Sequence, residues 1–514
     1  MKNILEMLEN SARLFPDKIA FSDPSGKVSF GGLEDMAQRI ACFLMSEGRI
    51  DPMRPGEPIA FFMEKNLGAV CAMFGAVYAG CFYSFIDVRQ PESRVLSVLS
   101  VLKPSIIITD AEDHDNIEGM IKSSSCDIRI IRIEELTNLA KNTEIDKSLI
   151  DRARKSSYDC MPLYVNFTSG STGTPKGVAV SHRSVIDFIP VFTETFGIDS
   201  SDILANQAPF DFDVSVKDIY SGLYTGAGVV LIPRDYFTNP AVLMDYLCDN
   251  KVTCLIWAVS ALCFVSIMNG LEYRVPEKIK RIMFSGEVMP VKQLNKWRAH
   301  LPDAQYVNLY GPTEITCNCL YHVLDREYAD DENIPAGRAF DNEKVFLLDE
   351  NDREVIKAGE MGQICVGGTC LALGYYKDKE KTDSVFTQNP LNDSYHERIY
   401  RTGDIGKYDD MGNIIYVSRR DLQIKHMGQR IELGEIETCA GAAHGVSRAC
   451  CTYDTKKKRI VLFYTGEAEK NELTDLLQKK LPQFMIPGKT IKLNSFPMNK
   501  NGKIDRKALE NGNY

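Results

Sequence analysis

Strand-like and helix-like patterns alternate through most of the 514-residue chain. Residues 28–46 predict a strand followed by a helix, and short apolar runs predict strands at 58–62, 105–110 and 127–133. Strands that alternate with helices form parallel sheets with helices on their faces. The sequence therefore predicts an α/β fold.

One apolar stretch, residues 67–86, carries no charge and is long enough to cross a bilayer. Gly75 and Gly80 interrupt it. Its alanine-rich half predicts a helix that ends near Gly80, and residues 81–86 predict a short buried strand. We therefore interpret the stretch as a helix-to-strand unit of the core, and we expect no stable membrane insertion.

The pattern changes near residue 340, after which short strands and turns follow one another up to residue 420. The turn at 409–413, Asp-Asp-Met-Gly-Asn, lies between two such strands and predicts a hairpin. A basic segment and a smaller α+β pattern come next. We place the main boundary at Asp421, which divides the chain into a domain of residues 1–420 and a domain of residues 421–514.

The composition is that of a globular protein, with 44% hydrophobic and 25% charged residues. The 60 basic and 70 acidic residues give a net charge of −10, so we expect no nucleic-acid partner. The fifteen cysteines include no C-x-x-C pair, and the first twenty residues contain no apolar signal-peptide core. These features favour reduced core cysteines and a cytoplasmic location.

The segment Phe167–Gly177, FTSGSTGTPKG, combines hydroxyl residues, glycines and Lys176 between two apolar runs. Glycines let backbone N–H groups turn toward one point, while hydroxyls and the lysine add donors and positive charge, a combination that suits a polyphosphate. The G-x-x-x-x-G-K-[ST] pattern of a Walker A loop does not fit it. A flexible linker is the alternative, which the flanking apolar runs disfavour.

In two further segments, polar side chains follow a predicted strand. In VNLYGPTE, residues 307–314, Tyr310 could face a base, Thr313 could donate to phosphate and Glu314 could bind Mg²⁺. In YRTGD, residues 400–404, Asp404 could accept the hydroxyls of a ribose. Each segment taken alone could also be an ordinary turn.

The segment NKNGKIDR, residues 499–506, presents Lys503 on an Asn-Gly turn. The same charges near a chain end could equally form a solvated basic tail. This motif alone therefore leaves the role of Lys503 open.

Six motifs occur in order along the chain: FTSGSTGTPKG, NLYGPTE, YRTGD, SRRDLQIKHMGQRIELGEIE, LPQFMIP and NGKIDR. Together they resemble the adenylate-forming enzyme superfamily, which includes acyl-CoA ligases, luciferases and amino-acid adenylation domains. Residues 208–228 and MFSGEVMP at 283–290 resemble especially the stand-alone D-alanine–carrier protein ligases. The resemblance implies a large N-terminal domain of stacked, parallel-rich sheets with helices and a small β-barrel-like part, followed by a small, mobile α+β C-terminal domain.

The resemblance also implies a two-step reaction. With ATP and Mg²⁺, an amino-acid carboxylate forms an aminoacyl-adenylate and pyrophosphate, and the phosphopantetheine thiol of a carrier protein then takes the acyl group. The C-terminal domain would rotate about Asp421 between the steps. We expect the carrier protein to act in trans, because the chain stops soon after Arg506, and D-alanine to be the substrate.

The resemblance assigns roles to matching residues. The residues that would bind the leaving phosphates are Thr168, Ser169, Gly170, Ser171, Thr172, Gly173 and Lys176. The residues that would line the adenine and α-phosphate site are Asn308, Leu309, Tyr310, Gly311, Pro312 and Thr313. Glu314 would ligate Mg²⁺. Asp404 would hold the ribose, with Tyr416 and Arg419 beside it. Lys503 would be the catalytic residue, bridging the substrate carboxylate and the α-phosphate.

The resemblance implies that Asp213 pairs with the α-amino group of the substrate. A buried ammonium without an anionic partner is costly, so this carboxylate favours amino acids over fatty or aryl acids. The alternative role of Asp213 is to cap the following helix. The other expected pocket residues suggest a modest cavity: Val214, Ser285, Leu309 and Cys317.

Two positions depart from the family pattern. Ser418 stands where a glycine is usual, and Lys217 stands where the D-alanine ligases carry an apolar residue. A Lys217 that faces the pocket would favour a substrate with an acidic side chain, whereas one that pairs with Asp218 or faces solvent would have no bearing on the substrate.

Two other classes of function remain open. An acyl-CoA or aryl-acid ligase of the same fold is disfavoured by Asp213. A non-catalytic binding protein is disfavoured by the presence of Lys503, Glu314 and Asp404.

Overall fold

The computed structural model describes residues 1–46, 50–124, 128–170, 175–330, 332–419, 423–498 and 504–512. Five of the predicted site residues lie outside the described residues: Ser171, Thr172, Gly173, Asp421 and Lys503.

The strands follow one another along the chain as β1 (Ile19–Asp23), β2 (Gly26–Ser29), β3 (Pro58–Phe62), β4 (Phe82–Ile86), β5 (Ile106–Thr109), β6 (Arg129–Arg132), β7 (Pro162–Thr168), β8 (Lys176–Ser181), β9 (Ile203–Asn206), β10 (Gly228–Leu231), β11 (Cys254–Ala258), β12 (Arg281–Ser285), β13 (Gln305–Tyr310), β14 (Leu320–Val323), β15 (Arg338–Ala339), β16 (Glu343–Leu348), β17 (Glu354–Val355), β18 (Met361–Gly368), β19 (Gly374–Tyr375), β20 (Phe386–Gln388), β21 (Arg398–Tyr408), β22 (Ile414–Arg419), β23 (Gln423–His426), β24 (Gln429–Glu432), β25 (Val446–Asp454), β26 (Arg459–Gly466) and β27 (Lys489–Lys492).

The α-helices are α1 (Leu5–Leu14), α2 (Phe30–Ser46), α3 (Leu67–Tyr78), α4 (Glu92–Leu102), α5 (His114–Ser124), α6 (Ile133–Lys141), α7 (Lys147–Ser156), α8 (His182–Phe196), α9 (Ser215–Thr225), α10 (Pro240–Asp249), α11 (Val259–Ile267), α12 (Gly270–Tyr273), α13 (Val291–His300), α14 (Lys379–Val385), α15 (Leu433–Gly441), α16 (Lys470–Lys480) and α17 (Arg506–Glu510).

The chain divides into two compact units. The first contains Met1–Ile86, Lys103–Asn166 and Val178–Arg420. The second contains Asp87–Leu102, Phe167–Gly177 and Asp421–Tyr514, so it combines α4 and the glycine-rich segment with the C-terminal part of the chain.

A nine-stranded sheet runs through the first unit in the order β15-β14-β13-β12-β11-β9-β10-β1-β2. The strands from β13 to β1 in this order pair in parallel, whereas β14, β15 and β2 pair antiparallel. The carboxyl ends of β9, β12 and β13 therefore lie along one edge of the sheet. In open α/β sheets this edge is where ligands bind.

A seven-stranded sheet of order β19-β8-β7-β4-β3-β5-β6 carries the uncharged stretch. That stretch forms α3 and β4 as predicted, and the Asn66 side chain caps α3 by accepting from the Ala69 N–H at 2.8 Å. Helices of the two sheets pack together, since Phe74 on α3 meets Tyr220 on α9 edge to face with ring centroids 6.1 Å apart. Among the described residues, no helix combines the length and the apolarity that a bilayer crossing requires.

The region of short strands forms an antiparallel sheet of order β17-β16-β18-β21-β20, with β22 paired to β21. The hairpin predicted from 409–413 joins β21 to β22, and Tyr408 pairs with Ile414 at its closed end. The mixed α/β architecture, with a larger N-terminal and a smaller C-terminal part, confirms the predicted fold class.

The second unit has its own small core. β25, β26 and β27 form one sheet and β23 and β24 a separate hairpin, while α15 and α16 bury apolar side chains that include Ile436 and Leu477. The fourteen cysteines that the structure describes in the chain as a whole are all free, and most are buried.

Candidate active site

Strand β13 leads the predicted nucleotide residues to the carboxyl edge of the nine-stranded sheet. Val307 and Leu309 are buried in the core, and Asn308 donates from Nδ2 to the Pro335 carbonyl at 2.7 Å. After Tyr310 the chain doubles back sharply, because Gly311 lies so close to the following loop that a Cβ there would stand 2.5 Å from Asn318 Cα and from the Cys317 carbonyl oxygen. Only glycine fits this turn.

The loop after Gly311 contains a strained residue that the sequence did not indicate. Thr316 has φ of 73°, a conformation that a β-branched residue adopts only at a cost of roughly 1–3 kcal/mol. Its hydroxyl donates to the Cys370 carbonyl at 2.7 Å, and the Tyr164 hydroxyl donates to the Thr316 carbonyl at 3.3 Å. These bonds hold the loop between Glu314 and Cys317 in one conformation.

Asp404 accepts hydrogen bonds on both carboxylate oxygens. The Tyr310 hydroxyl donates to Oδ2 at 2.5 Å, and Arg419 donates from Nη1 to Oδ1 at 2.8 Å. The Thr402 hydroxyl accepts the Asp404 backbone N–H at 3.0 Å, which fixes the strand beneath the carboxylate. The predicted adenine and ribose residues thus meet at one point.

Aromatic side chains flank this carboxylate. The ring centroid of Tyr416 lies 6.4 Å from that of Tyr310 at an interplanar angle of 38°. Burial, followed by the negative charge of Asp404, raises the pKa of Tyr310 well above its ordinary value, so its hydroxyl stays a donor at physiological pH. Ser418 lies at an exposed position of β22, paired in register with Ile405.

Glu314, the predicted metal ligand, is fully buried in the short turn Thr313–Ile315. Its Oε1 accepts from the Tyr375 hydroxyl at 2.8 Å, and its backbone carbonyl accepts from the Ala372 N–H at 2.9 Å. Mg²⁺ takes oxygen ligands and is usually held by one or two carboxylates together with substrate phosphates. An oriented carboxylate of this kind fits that pattern.

Asp213 lies in the connection from β9 to α9 and is 8% exposed. Helix α9 begins at Ser215, and Val214 occupies the cap position without a side-chain capping bond. Burial raises the pKa of the Cys317 thiol to about 12, and the nearby charge of Asp213 adds to that rise. The charge of Asp213 therefore acts on the Cys317 thiol, and the assignment of both residues to one pocket stays a prediction.

Lys217 stands one turn after Asp213 on α9 and is fully buried, which rules out the solvent-facing alternative. Its ammonium donates to the Asn318 side chain, on the loop that follows Glu314. The Lys217 charge also lowers the pKa of Cys317 and of Asp218, in both cases against a larger rise caused by burial. The Lys217–Asn318 hydrogen bond consequently joins α9 to the loop that contains Cys317.

The remaining predicted pocket residues are buried as well. Val214 is 3% exposed and Ser285 is 5% exposed. Ser285 ends β12, whose carboxyl end lies beside that of β13. The sheet topology thus places Ser285 at the carboxyl edge of the nine-stranded sheet.

The glycine-rich segment belongs to the second unit, where it meets the β24–α15 segment. Ser169 Oγ donates to the Arg430 carbonyl at 2.8 Å and accepts the Glu432 backbone N–H at 3.1 Å. Lys176 Nζ lies 3.7 Å from Glu432 Oε1, and both side chains are almost fully buried. A donor set predicted to hold phosphates therefore faces a carboxylate in this structure.

Glu435 holds the same segment from α15. Its carboxylate accepts from Arg94 on α4 and from the Gly170 backbone N–H. Burial raises the pKa of Glu435 above its ordinary value in spite of these donors. Thr168, the second residue of the segment, ends β7.

Sequence reasoning missed three residues that orient the predicted ones. Asn318 binds Lys217, Tyr375 binds Glu314, and Thr402 lies beneath Asp404. Thr402 could have been found, because residues two apart on a strand share a face. Tyr375 could not, since it is distant in sequence and lies outside every motif.

A protein-family model described as AMP-binding enzyme matches residues 8–376, more than half of the chain. Bacitracin synthase 1 of Bacillus licheniformis is 29% identical over 513 residues, which cover 99% of this chain. The L-proline–[L-prolyl-carrier protein] ligase of Streptomyces coelicolor is 29% identical over 506 residues, covering 95% of this chain and 92% of that ligase. Several of the matching curated relatives are much longer proteins, of whose length this chain spans only 9% to 19%.

The fold resembles that of solved adenylation domains. The Vibrio cholerae adenylation domain AlmE, solved with glycyl-adenosine-5′-phosphate, superposes with a TM-score of 0.81 at 20% identity, covering 99% of this chain and 97% of that one. A nonribosomal peptide synthetase protein with adenylation and carrier (PCP) domains gives a TM-score of 0.84 at 23% identity, covering 99% and 84%. With the family model spanning most of the first unit, the chain belongs to the AMP-binding enzyme family.

Proposed function

We propose that this protein adenylates an amino acid with ATP and transfers the aminoacyl group to the phosphopantetheine thiol of a carrier protein. As a member of the AMP-binding family, the chain is a ligase that joins an acid to a thiol through an acyl-adenylate. The observation that carries the amino-acid assignment is the Asp213 carboxylate, which is buried two residues before α9 and whose charge acts on the Cys317 thiol.

The physical argument concerns the charge of the substrate. An ammonium group that leaves water for a buried pocket needs an anionic partner, and Asp213 supplies one. A fatty or aryl acid has no cation to offer to this carboxylate, so it gains nothing from the pairing. This difference favours amino acids over the substrates of acyl-CoA and aryl-acid ligases.

The other residues divide the remaining tasks. Asp404 would accept the two ribose hydroxyls, with Tyr310 and Arg419 holding its orientation. Glu314 would hold Mg²⁺, which supplies positive charge to the phosphates when bound. Lys503 would place an ammonium where negative charge develops on the carboxylate and α-phosphate, and such preorganised charge lowers the barrier.

D-alanine is the first candidate substrate, on the resemblance of residues 208–228 and 283–290 to D-alanine–carrier protein ligases. The burial of Lys217 favours a second candidate, an amino acid with an acidic side chain. An ammonium carries three protons, and Asn318 accepts one of those of Lys217, so a substrate carboxylate could accept another. The two candidates differ in the charge they bring to the pocket.

The carrier protein would act in trans as a separate chain. The similarity to a prolyl-carrier protein ligase, of which this chain covers 92%, supports a carrier as the acceptor. Loading of a purified, phosphopantetheinylated carrier, followed by mass spectrometry, tests this part of the proposal.

Amino-acid-dependent exchange of pyrophosphate into ATP tests the first step. The panel contains both alanine enantiomers, aspartate, glutamate, a fatty acid and an aryl acid. Asp213→Asn should lower kcat/KM for the preferred amino acid by about 10²–10³-fold, because the substrate ammonium is then buried without an anionic partner. Asp211→Asn, two residues earlier on the same connection, is the matched control and should stay near wild type. Faster exchange with the fatty or aryl acid would overturn the proposal.

Lys217→Met distinguishes the two amino-acid candidates. If the wild type prefers an acidic amino acid, the variant should lose that preference by about 10²-fold and gain activity with alanine or another small apolar amino acid. An unchanged ranking of substrates would assign Lys217 to packing alone.

A further inference from the structure

Lys65 makes a set of contacts that no motif indicated. It follows β3, and its ammonium reaches the end of β9 in the neighbouring sheet. There it donates to the Asn206 carbonyl, the Asn206 side-chain oxygen and the Gln207 carbonyl, each at 2.8 Å, and to the Ala208 carbonyl at 3.1 Å. The Lys65 ammonium thus binds three consecutive residues that open the connection carrying Asp213.

The hydrogen bonds of Lys65 extend through Asn206 to the other end of that connection. Asn206, whose side-chain oxygen accepts from Lys65, donates from Nδ2 to Asp218 Oδ2 at 3.0 Å. Asp218 lies on the first turn of α9, is fully buried and is adjacent to Lys217 in sequence. Lys65 therefore restrains residues 206–208 directly and α9 through Asn206.

These contacts restrain the segment that carries the residues expected in the amino-acid pocket. The connection between the two restrained ends contains Asp213, and α9 carries Lys217. A connection of this length would sample many conformations if its ends were free, and ordering its backbone costs conformational entropy. Fixing both ends reduces the freedom left to Asp213.

The charges of Lys65 and Asp218 each affect the pKa of the other group. Burial lowers the pKa of Lys65 to about 7, with Asp218 and Glu64 opposing the shift. Burial likewise raises the pKa of Asp218 to about 7, against the hydrogen bond from Asn206 and the charges of Lys217 and Lys65. Within the described residues, Asp218 Oδ1 has no hydrogen-bond partner, so its only bonded oxygen is the one that Asn206 holds.

We propose that Lys65 is a positioning residue of the amino-acid site, which sets the location of Asp213 and Lys217 by restraining both ends of the β9–α9 connection. The inference rests on the proposed amino-acid adenylation. Lys65 acts on the amino acid through these residues, whereas the nucleotide residues Asp404 and Tyr310 are held by Arg419 and by each other.

The experiment compares Lys65→Met with wild type in pyrophosphate exchange. Loss of the restraint should raise KM for the amino acid about tenfold or more, since displacements near 1 Å are enough to cost up to 10²-fold. KM for ATP should stay within about twofold, because the nucleotide residues belong to other elements. Lys65→Arg, which keeps the charge and several donors, should recover most of the loss.

Lys18→Met is the matched control. The Lys18 ammonium also crosses to the β9–α9 unit, where it donates to the Ser200 and Gly226 carbonyls, but these flank the opposite ends of β9 and α9. The control should lose stability in thermal unfolding as Lys65→Met does, yet keep the wild-type KM for the amino acid. If Lys65→Met does not fold, Asp218→Leu, which removes the acceptor of the Asn206 amide, supplies the same comparison from the other side of Asn206.

The outcomes separate the two proposals. A wild type that is active with an amino acid, together with an unchanged amino-acid KM in Lys65→Met or Asp218→Leu, overturns the role of Lys65 and leaves the proposed function standing. Equal rises of KM for ATP and amino acid also overturn it, since they indicate general loosening. A wild type inactive with every amino acid overturns both.

Discussion

Asp404 and Arg419 face each other across the β21–β22 hairpin, where they are register partners and their side chains are joined at 2.8 Å. Both side chains are nearly buried, at 5% and 10% exposure. Removing one partner of such a pair costs about 3–5 kcal/mol, because the other charge stays buried. The carboxylate proposed to hold the ribose is thus already oriented by the protein before a nucleotide arrives.

The first prediction concerns this orientation. Arg419→Met should raise KM for ATP roughly tenfold or more, since the Asp404 carboxylate loses the donor that fixes its Oδ1. KM for ATP is measured by pyrophosphate exchange at saturating amino acid. Tyr310→Phe removes one neutral hydrogen bond from the same carboxylate and should have a smaller effect. An ATP KM that is unchanged in Arg419→Met would contradict the assignment of Asp404 to the nucleotide.

The second prediction concerns Glu343, a carboxylate at the start of β16. Burial raises its pKa from 4.5 to about 8, with the Asp187 charge adding to the rise and the Cys370 thiol opposing it. The folded protein therefore holds a proton that the unfolded chain releases, so the free energy of unfolding falls as pH rises from about 4.5 to about 8.

Glu343→Gln keeps the shape of the protonated acid and should remove this pH dependence. Thermal unfolding is measured between pH 5 and pH 9, and the variant should match wild type at pH 5 and unfold at a higher temperature at pH 9. Glu350→Gln, at an exposed turn, is the control with no expected pH effect. Parallel pH profiles for wild type and Glu343→Gln would show that the carboxyl titrates normally.

The third prediction concerns Glu432, whose carboxylate lies 3.7 Å from the Lys176 ammonium in the second unit. If the glycine-rich segment binds phosphates, pyrophosphate and this carboxylate compete for the same cation. Glu432→Gln should then tighten inhibition by pyrophosphate about fivefold, equivalent to about 1 kcal/mol. Glu437→Gln is the matched control, because Glu437 pairs with Arg506 at 2.5 Å. Weaker inhibition in Glu432→Gln would indicate that the carboxylate supports phosphate binding.

The fourth prediction concerns Lys503, whose catalytic role is predicted from the sequence alone. Lys503→Ala should nearly abolish amino-acid-dependent pyrophosphate exchange, because the developing charge loses its ammonium, a loss that typically costs about 10²–10³-fold. Thioester formation from chemically supplied aminoacyl-adenylate should persist, as the proposed hinge motion removes Lys503 from the second step. Equal loss of both half-reactions would argue against this division of labour.

Local sequence determined most of the fold. The alternation of apolar runs and helical patterns predicted β2 with α2, β3, and the α3–β4 unit, because each element buries a face whose period is visible within a few residues. The hairpin at 409–413 followed from its turn residues alone. Four of the residues that the resemblance assigns to the nucleotide lie together in the first unit: Tyr310, Asp404, Tyr416 and Arg419.

Tertiary structure decided what surrounds those residues. Whether Lys217 faces solvent or the pocket depends on which side of α9 packs inward, and only the fold placed its ammonium on Asn318, 101 residues away. Lys65 reaches Asn206 across 141 residues for the same reason. Motifs record the chemistry that a site needs, whereas the partners that restrain a buried charge are chosen by sheet order and packing, which no local pattern contains.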